Sequence, residues 1–127
     1  MSYAGTAQQY RETQILTASP IQLVVIVYDH LLANLRRATI AIRSGDAEVR
    51  ATYLNRARAS VNELFVALDR ERGGDVARDL SMLYAFFLTE LLDQGVRPDA
   101  DRLERLTEQA ATLRGAFGVL AGEDEAE

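Results

Sequence analysis

The chain contains no cysteine, no lysine and a single histidine, and only two of its 127 residues are proline. The lack of cysteine excludes a disulfide framework and any thiolate metal site, and it fits a reducing compartment. The lack of lysine means that Gly73-Gly74 cannot belong to a phosphate-binding loop of the usual kind. With His30 alone, there is no Glu-x-x-His or His-Glu-x-x-His pair from which a bundle metal site is built. The longest apolar run, Leu23 to Tyr28, is far too short to span a bilayer. The first residues, Met1-Ser2-Tyr3-Ala4-Gly5, lack the basic and apolar regions of a signal peptide. A net charge of −5 argues against nucleic acid as a partner. Acidic residues are scattered over what read as solvated faces, so no general acid–base pair stands out. The expectation is a protein of the cytoplasm that is not an enzyme, with no cofactor, no metal and no insertion into a membrane.

Hydrophobic residues make up 48% of the chain and charged residues 26%, ordinary values for one globular domain. The chain is organised around Thr17-Ala18-Ser19-Pro20-Ile21-Gln22-Leu23. Ser19 is a candidate N-cap, Pro20 suits the first helical position, and Gln22 completes a capping box. Thr17 belongs to the same helix-start motif. The segment before the cap, residues 1–18, reads as a loosely ordered tail whose larger side chains are Tyr3, Tyr10, Ile15 and Leu16.

Four apolar seams come after the tail. The first helix, expected from Pro20 to about Arg43, carries Val24, Tyr28, Leu31, Leu35, Ala38 and Ile42 in steps of four and three. Gly45 should end it and Asp46 should cap the second helix. The second seam is Leu54, Ala57, Val61, Leu64 and Leu68, with Arg50, Arg56, Arg58 and Asn62 on the solvated side. Arg70-Glu71-Arg72 should close that helix, Gly73-Gly74 break it, and Asp75 cap the third. The third line is Leu80, Tyr84, Phe87 and Leu91, ending at a Gly95-Val96 cap before Pro98. Asp99 should cap the fourth helix, with seam Leu103, Leu106, Ala110, Leu113, Phe117 and Leu120 and an Asp101–Arg105 pair. Short links make this an all-α, antiparallel up-down four-helix bundle over residues 19–122. An acidic tail, 123–127, completes the chain.

More apolar surface is present than four seams need. With Tyr84 and Phe87 inward, Met82 and Phe86 point nearly opposite and Leu92 lies on the flank. Leu23 and Ile26 likewise fall off the first seam. Monomers rarely leave a large apolar patch bare. These residues therefore read as a groove for an amphipathic helix from another protein, which Tyr10, Ile15 and Leu16 of the tail cover or flank. A self-associating or regulatory interaction module, including a homodimer through the same surface, is the alternative.

Tyr10, Thr17-Ala18-Ser19-Pro20-x-x-Leu23 and Tyr28-Asp29 resemble the start of the flagellin-specific export chaperones, the FliS family. Leu68-Asp69-Arg70-Glu71-Arg72-Gly73-Gly74-Asp75, Leu80-Ser81-x-Leu83-Tyr84 and Leu91-Leu92 extend the likeness over nearly the whole chain. Phe117 stands where the family usually has tryptophan, and Thr89-Glu90 where it often has two arginines. The resemblance implies a cytoplasmic helical bundle that binds the C-terminal segment of newly made flagellin. It implies that the bundle prevents premature polymerisation and assists delivery to the export gate of the flagellar type III secretion apparatus. It also implies that the tail, with Tyr10, covers the groove and docks at the gate.

Overall fold

The computed structural model describes residues 19–123. Tyr10, Ile15, Leu16 and Thr17 lie outside the described residues, as does the tail beyond Glu123. Among the described residues four helices succeed one another: α1 Pro20–Ser44, α2 Ala47–Ala67, α3 Arg70–Val96 and α4 Ala100–Leu120. Links of a few residues leave each helix antiparallel to the one before it. α1 packs on both α2 and α4, and α3 packs on α2. Along most of their length the α3 and α4 backbones barely meet.

The start of α1 is a capping box. The Ser19 hydroxyl accepts from the Gln22 N–H at 3.2 Å, and the Ser19 N–H donates to Gln22 Oε1 at 2.9 Å. Two donors that a helix start leaves unpaired are thereby satisfied. At the other end Gly45 takes φ 73°, a left-handed conformation in which other residues are strained. Asp46 then caps α2 by accepting from the Val49 N–H at 3.0 Å.

The next two boundaries differ from the expectation. α2 stops at Ala67, and Leu68 turns extended. Asp69 rather than Asp75 caps the third helix, accepting from the Arg72 N–H at 3.1 Å. Arg70-Glu71-Arg72 therefore opens α3 instead of closing α2. The glycine pair does interrupt the helix: Gly74, at φ 52° and ψ −126°, kinks α3 after its first turn. Two Asp residues six apart both qualify as caps, and spacing alone does not rank them. At its far end α3 runs through Gly95 to Val96 with no left-handed residue. The buried amide of Gln94 takes the part expected of Gly95. Its Nε2 donates to the Asp99 carbonyl at 3.0 Å and its Oε1 accepts from the Asp99 N–H at 2.8 Å. Asp99 in turn caps α4 through the Arg102 N–H.

The core is a layer of Tyr28, Leu31 and Leu35 from α1, Leu54, Val61 and Leu64 from α2, Tyr84, Phe87 and Leu91 from α3, and Leu103 and Leu106 from α4. Val25 and Leu32 are buried too, because α1 has a neighbour on each side and hides a broad arc. Leu120, read as the last member of the fourth seam, is 70% exposed, since it lies past the end of the packed layer. Asp101 turns away from Arg105 to Arg43 of α1, 3.2 Å away, where Glu104 joins it at 2.6 Å. His30 is on the surface, as its position off the seam suggests.

Candidate functional site: an apolar groove and an exposed helix face

A groove of about 640 Å³ opens at the end of the bundle where α1 begins. Leu23, Val24 and Val27 form one wall, Leu64 and Leu68 another, and Val76, Ala77 and Leu80 a third. Tyr84 and Phe117 contribute to it from α3 and α4. Each wall arises from a local feature. The capping box fixes where α1 starts, so Leu23 and Val27 face the opening. The extended Leu68 is released from the α2 helix at the rim. The kink at Gly74 sets the first turn of α3 at an angle, and Gly73 lets it lie close, for a methyl group there would come within 2.6 Å of Ala77 Cβ.

Beneath the groove the aromatic residues interlock. Tyr28 stacks on Phe117 with centroids 5.3 Å apart, and Phe65 meets Tyr84 edge-on at 5.6 Å. The Tyr28 and Tyr84 hydroxyls share a hydrogen bond of 2.7 Å. Burial pushes both phenols up from their ordinary value, and for Tyr28 the bond to Tyr84 adds to the effect. Arg114 fastens this floor from outside. Its guanidinium holds Asp29 of α1 at 2.8 Å and Glu123 at 2.6 Å, and those hydrogen bonds raise its already high pKa further.

Among the described residues the only charged side chains around the opening are Asp69 and Arg72, at the rim. The remaining walls are carbon, apart from the Tyr84 phenol and backbone. Such a lining suits the apolar face of a helix and offers no nucleophile or proton shuttle. Among the described residues no three potential metal ligands cluster, and no helix is long and apolar enough to cross a membrane.

The predicted partner-binding residues are divided between two surfaces. Leu23 lines the groove; Ile26 is half-buried on α1 outside it. Met82 and Phe86 are 67% and 45% exposed on the side of α3 opposite Tyr84 and Leu91, and Leu92, on the flank, is 55% exposed. Phe86 leans on Phe87 at 6.3 Å, and Val96 extends the stripe. None of the five is sealed in the interior. The groove also uses Ile21, Val27, Leu68 and Val76, which sequence reasoning passed over. Leu68 and Val76 flank the glycine pair, and apolar residues on both sides of a helix break are a signal that the periodicity of either helix does not carry.

The profile of a family described as "Flagellar protein FliS" matches residues 3–124. The Flagellar secretion chaperone FliS of Salmonella typhimurium is 34% identical over 101 residues, 79% of this chain and 75% of that protein. The protein of the same description from Campylobacter jejuni is 34% identical over 97 residues, 76% of each chain. That from Vibrio cholerae is 24% identical over 123 residues, 94% of this chain and 90% of its own.

Proposed function

This chain belongs to the FliS family of flagellar proteins, and from that footing we propose how a flagellar secretion chaperone of this sequence holds its client. The client is the C-terminal amphipathic segment of flagellin, bound in the cytoplasm before export. The groove beside Leu23 takes the apolar face of one helical turn or more, and the outer face of α3 at Met82, Phe86 and Leu92 takes another part. Ile26 lies beside the first contact. Covering these client surfaces prevents premature polymerisation. The observation that carries the reading is the 640 Å³ apolar groove left open at the start of α1.

Pro20 and Ile21 border that groove, so the segment 1–18 joins the bundle at its edge. We place Tyr10, Ile15 and Leu16 over the empty groove, to be displaced by the client and then presented to the export gate. A disordered client loses chain entropy on ordering, so it needs an extended apolar surface to bind well. No phosphate-binding loop supplies energy for release, and competition or hand-over to the gate takes its place.

The test is a calorimetric titration with the C-terminal peptide of the flagellin from the same organism. A complex at micromolar concentrations is expected; no heat at ~100 µM of both components would end the reading. Leu23→Asp and Phe86→Asp should each weaken the complex by about tenfold or more while the circular dichroism stays helical. The exposed α3 stripe also suits a second copy, the self-associating module. A concentration-dependent dimer that excludes the peptide would favour that second reading.

A further inference from the structure

The fourteen basic residues are all arginines, and their pairing is uneven. Arg43, Arg72, Arg78, Arg97, Arg102 and Arg114 each reach a carboxylate. On α1 and α2, Arg36, Arg37, Arg50, Arg56 and Arg58 reach none among the described residues. Between residues 30 and 63 six arginines face three carboxylates, Asp46, Glu48 and Glu63, and Asp46 is engaged as the cap of α2. In a chain of net charge −5 this is a local inversion of sign.

Two of these arginines lie over Tyr53, and a third precedes it on the same helix. The Arg56 guanidinium lies 5.2 Å from the ring centroid. Arg37 comes across from α1 to 5.4 Å and donates to the phenol oxygen at 3.4 Å. Arg50 stands one turn before Tyr53, and its Nε is buried without an acceptor. Two cations on one ring repel each other, and an exposed cation–π contact offsets little of that repulsion. A carboxylate would neutralise the pair and could accept from both forks.

We propose that Arg37, Arg50, Tyr53 and Arg56 form a docking surface for a short carboxylate-rich segment of a partner protein. The surface is distinct from the apolar groove and does not depend on the chaperone reading. Tyr53 and Leu64 are eleven residues apart on α2, ~16 Å at the helical rise, so both sites accept occupants at once. A short acidic peptide fits better than nucleic acid. Three guanidiniums span little length, and a long polyanion would run onto the carboxylate-rich remainder of the molecule.

The experiment uses the full chain and a fluorescein-labelled ten-residue Asp-Glu repeat, with a Gln-Asn repeat as control. Binding with a dissociation constant on the order of 10–100 µM in 50 mM salt is expected, weakening severalfold at 200 mM. The double variant Arg37→Gln/Arg56→Gln should lose about tenfold or more, and Arg50→Gln a smaller factor. Leu23→Ser, in the groove, should leave the affinity unchanged. Circular dichroism checks that each variant folds; Arg37 and Arg56 are exposed, so both replacements should. Absent binding, equal binding of the control repeat, equal affinity in the double variant, or tighter binding of a 20-base-pair duplex DNA would each overturn the proposal.

Discussion

The Tyr28–Tyr84 pair concentrates several constraints in two side chains. Both rings are buried, and each hydroxyl has the other as its partner. Replacing either by phenylalanine leaves a buried hydroxyl unpaired, at a cost of about 1–3 kcal/mol. Tyr28→Phe/Tyr84→Phe should cost less than the sum of the single variants, because no polar group is then stranded; urea unfolding of the four proteins measures this. The same pair sets an alkaline limit. Burial raises both phenols above their ordinary value of 10.0. The folded state thus keeps protons that the unfolded chain releases. Stability from this source is complete below pH 10 and falls as the pH rises beyond it, by up to ~2.7 kcal/mol per pH unit for two phenols. Denaturant midpoints that stay flat between pH 9 and 11.5 would contradict this.

Among the elements, α3 teaches most. Gly74 holds a backbone conformation that a Cβ strains, so Gly74→Ala should cost about 1 kcal/mol or more and should disturb the groove lip formed by Gly73 and Val76. Thermal melts and client titration together separate the two effects. Gln94→Ala removes both bonds to Asp99 from a site that is 1% exposed. A loss of about 2 kcal/mol in denaturant unfolding is expected. The sequence made some of these devices readable and concealed others. Ser19, Gly45, Asp46 and Asp99 were legible because caps depend on neighbours within four residues. Asp69 and Asp75 looked alike locally, and the extended Leu68 decided between them. Gln94 gave no sign of its role, because its partner's position depends on the turn through Pro98. The Asp101–Arg43 contact joins two helices, which i,i+4 spacing does not reveal. Off-seam periodicity put Leu23, Ile26, Met82, Phe86 and Leu92 in one groove, whereas of these five only Leu23 lines it. It passed over Ile21, Val27, Leu68 and Val76, since periodicity assigns faces and says little about the open end of a bundle.

For the whole molecule, the proposed competition between a client and the segment 1–18 can be measured. If that segment covers the groove, its deletion should increase binding of a hydrophobic dye and raise client affinity about threefold or more; fluorescence titration reads both. No change in either would place the segment elsewhere. The stripe Met82, Phe86, Leu92 should bind dye equally in both proteins, which makes Phe86→Asp the control.

The uneven attachment of α3 has a kinetic corollary. At its far end Arg102 anchors it to α4 through Glu90 and Asp93, and Gln94 clasps the adjoining turn. Near the glycine pair no comparable tie to α4 is found among the described residues, and the two backbones barely meet. Deuterium should therefore enter the amides of the first half of α3 sooner than those near Leu91, as a gradient along one helix. The binding end of this protein would be the loose end of a hinge whose pin lies at the opposite pole.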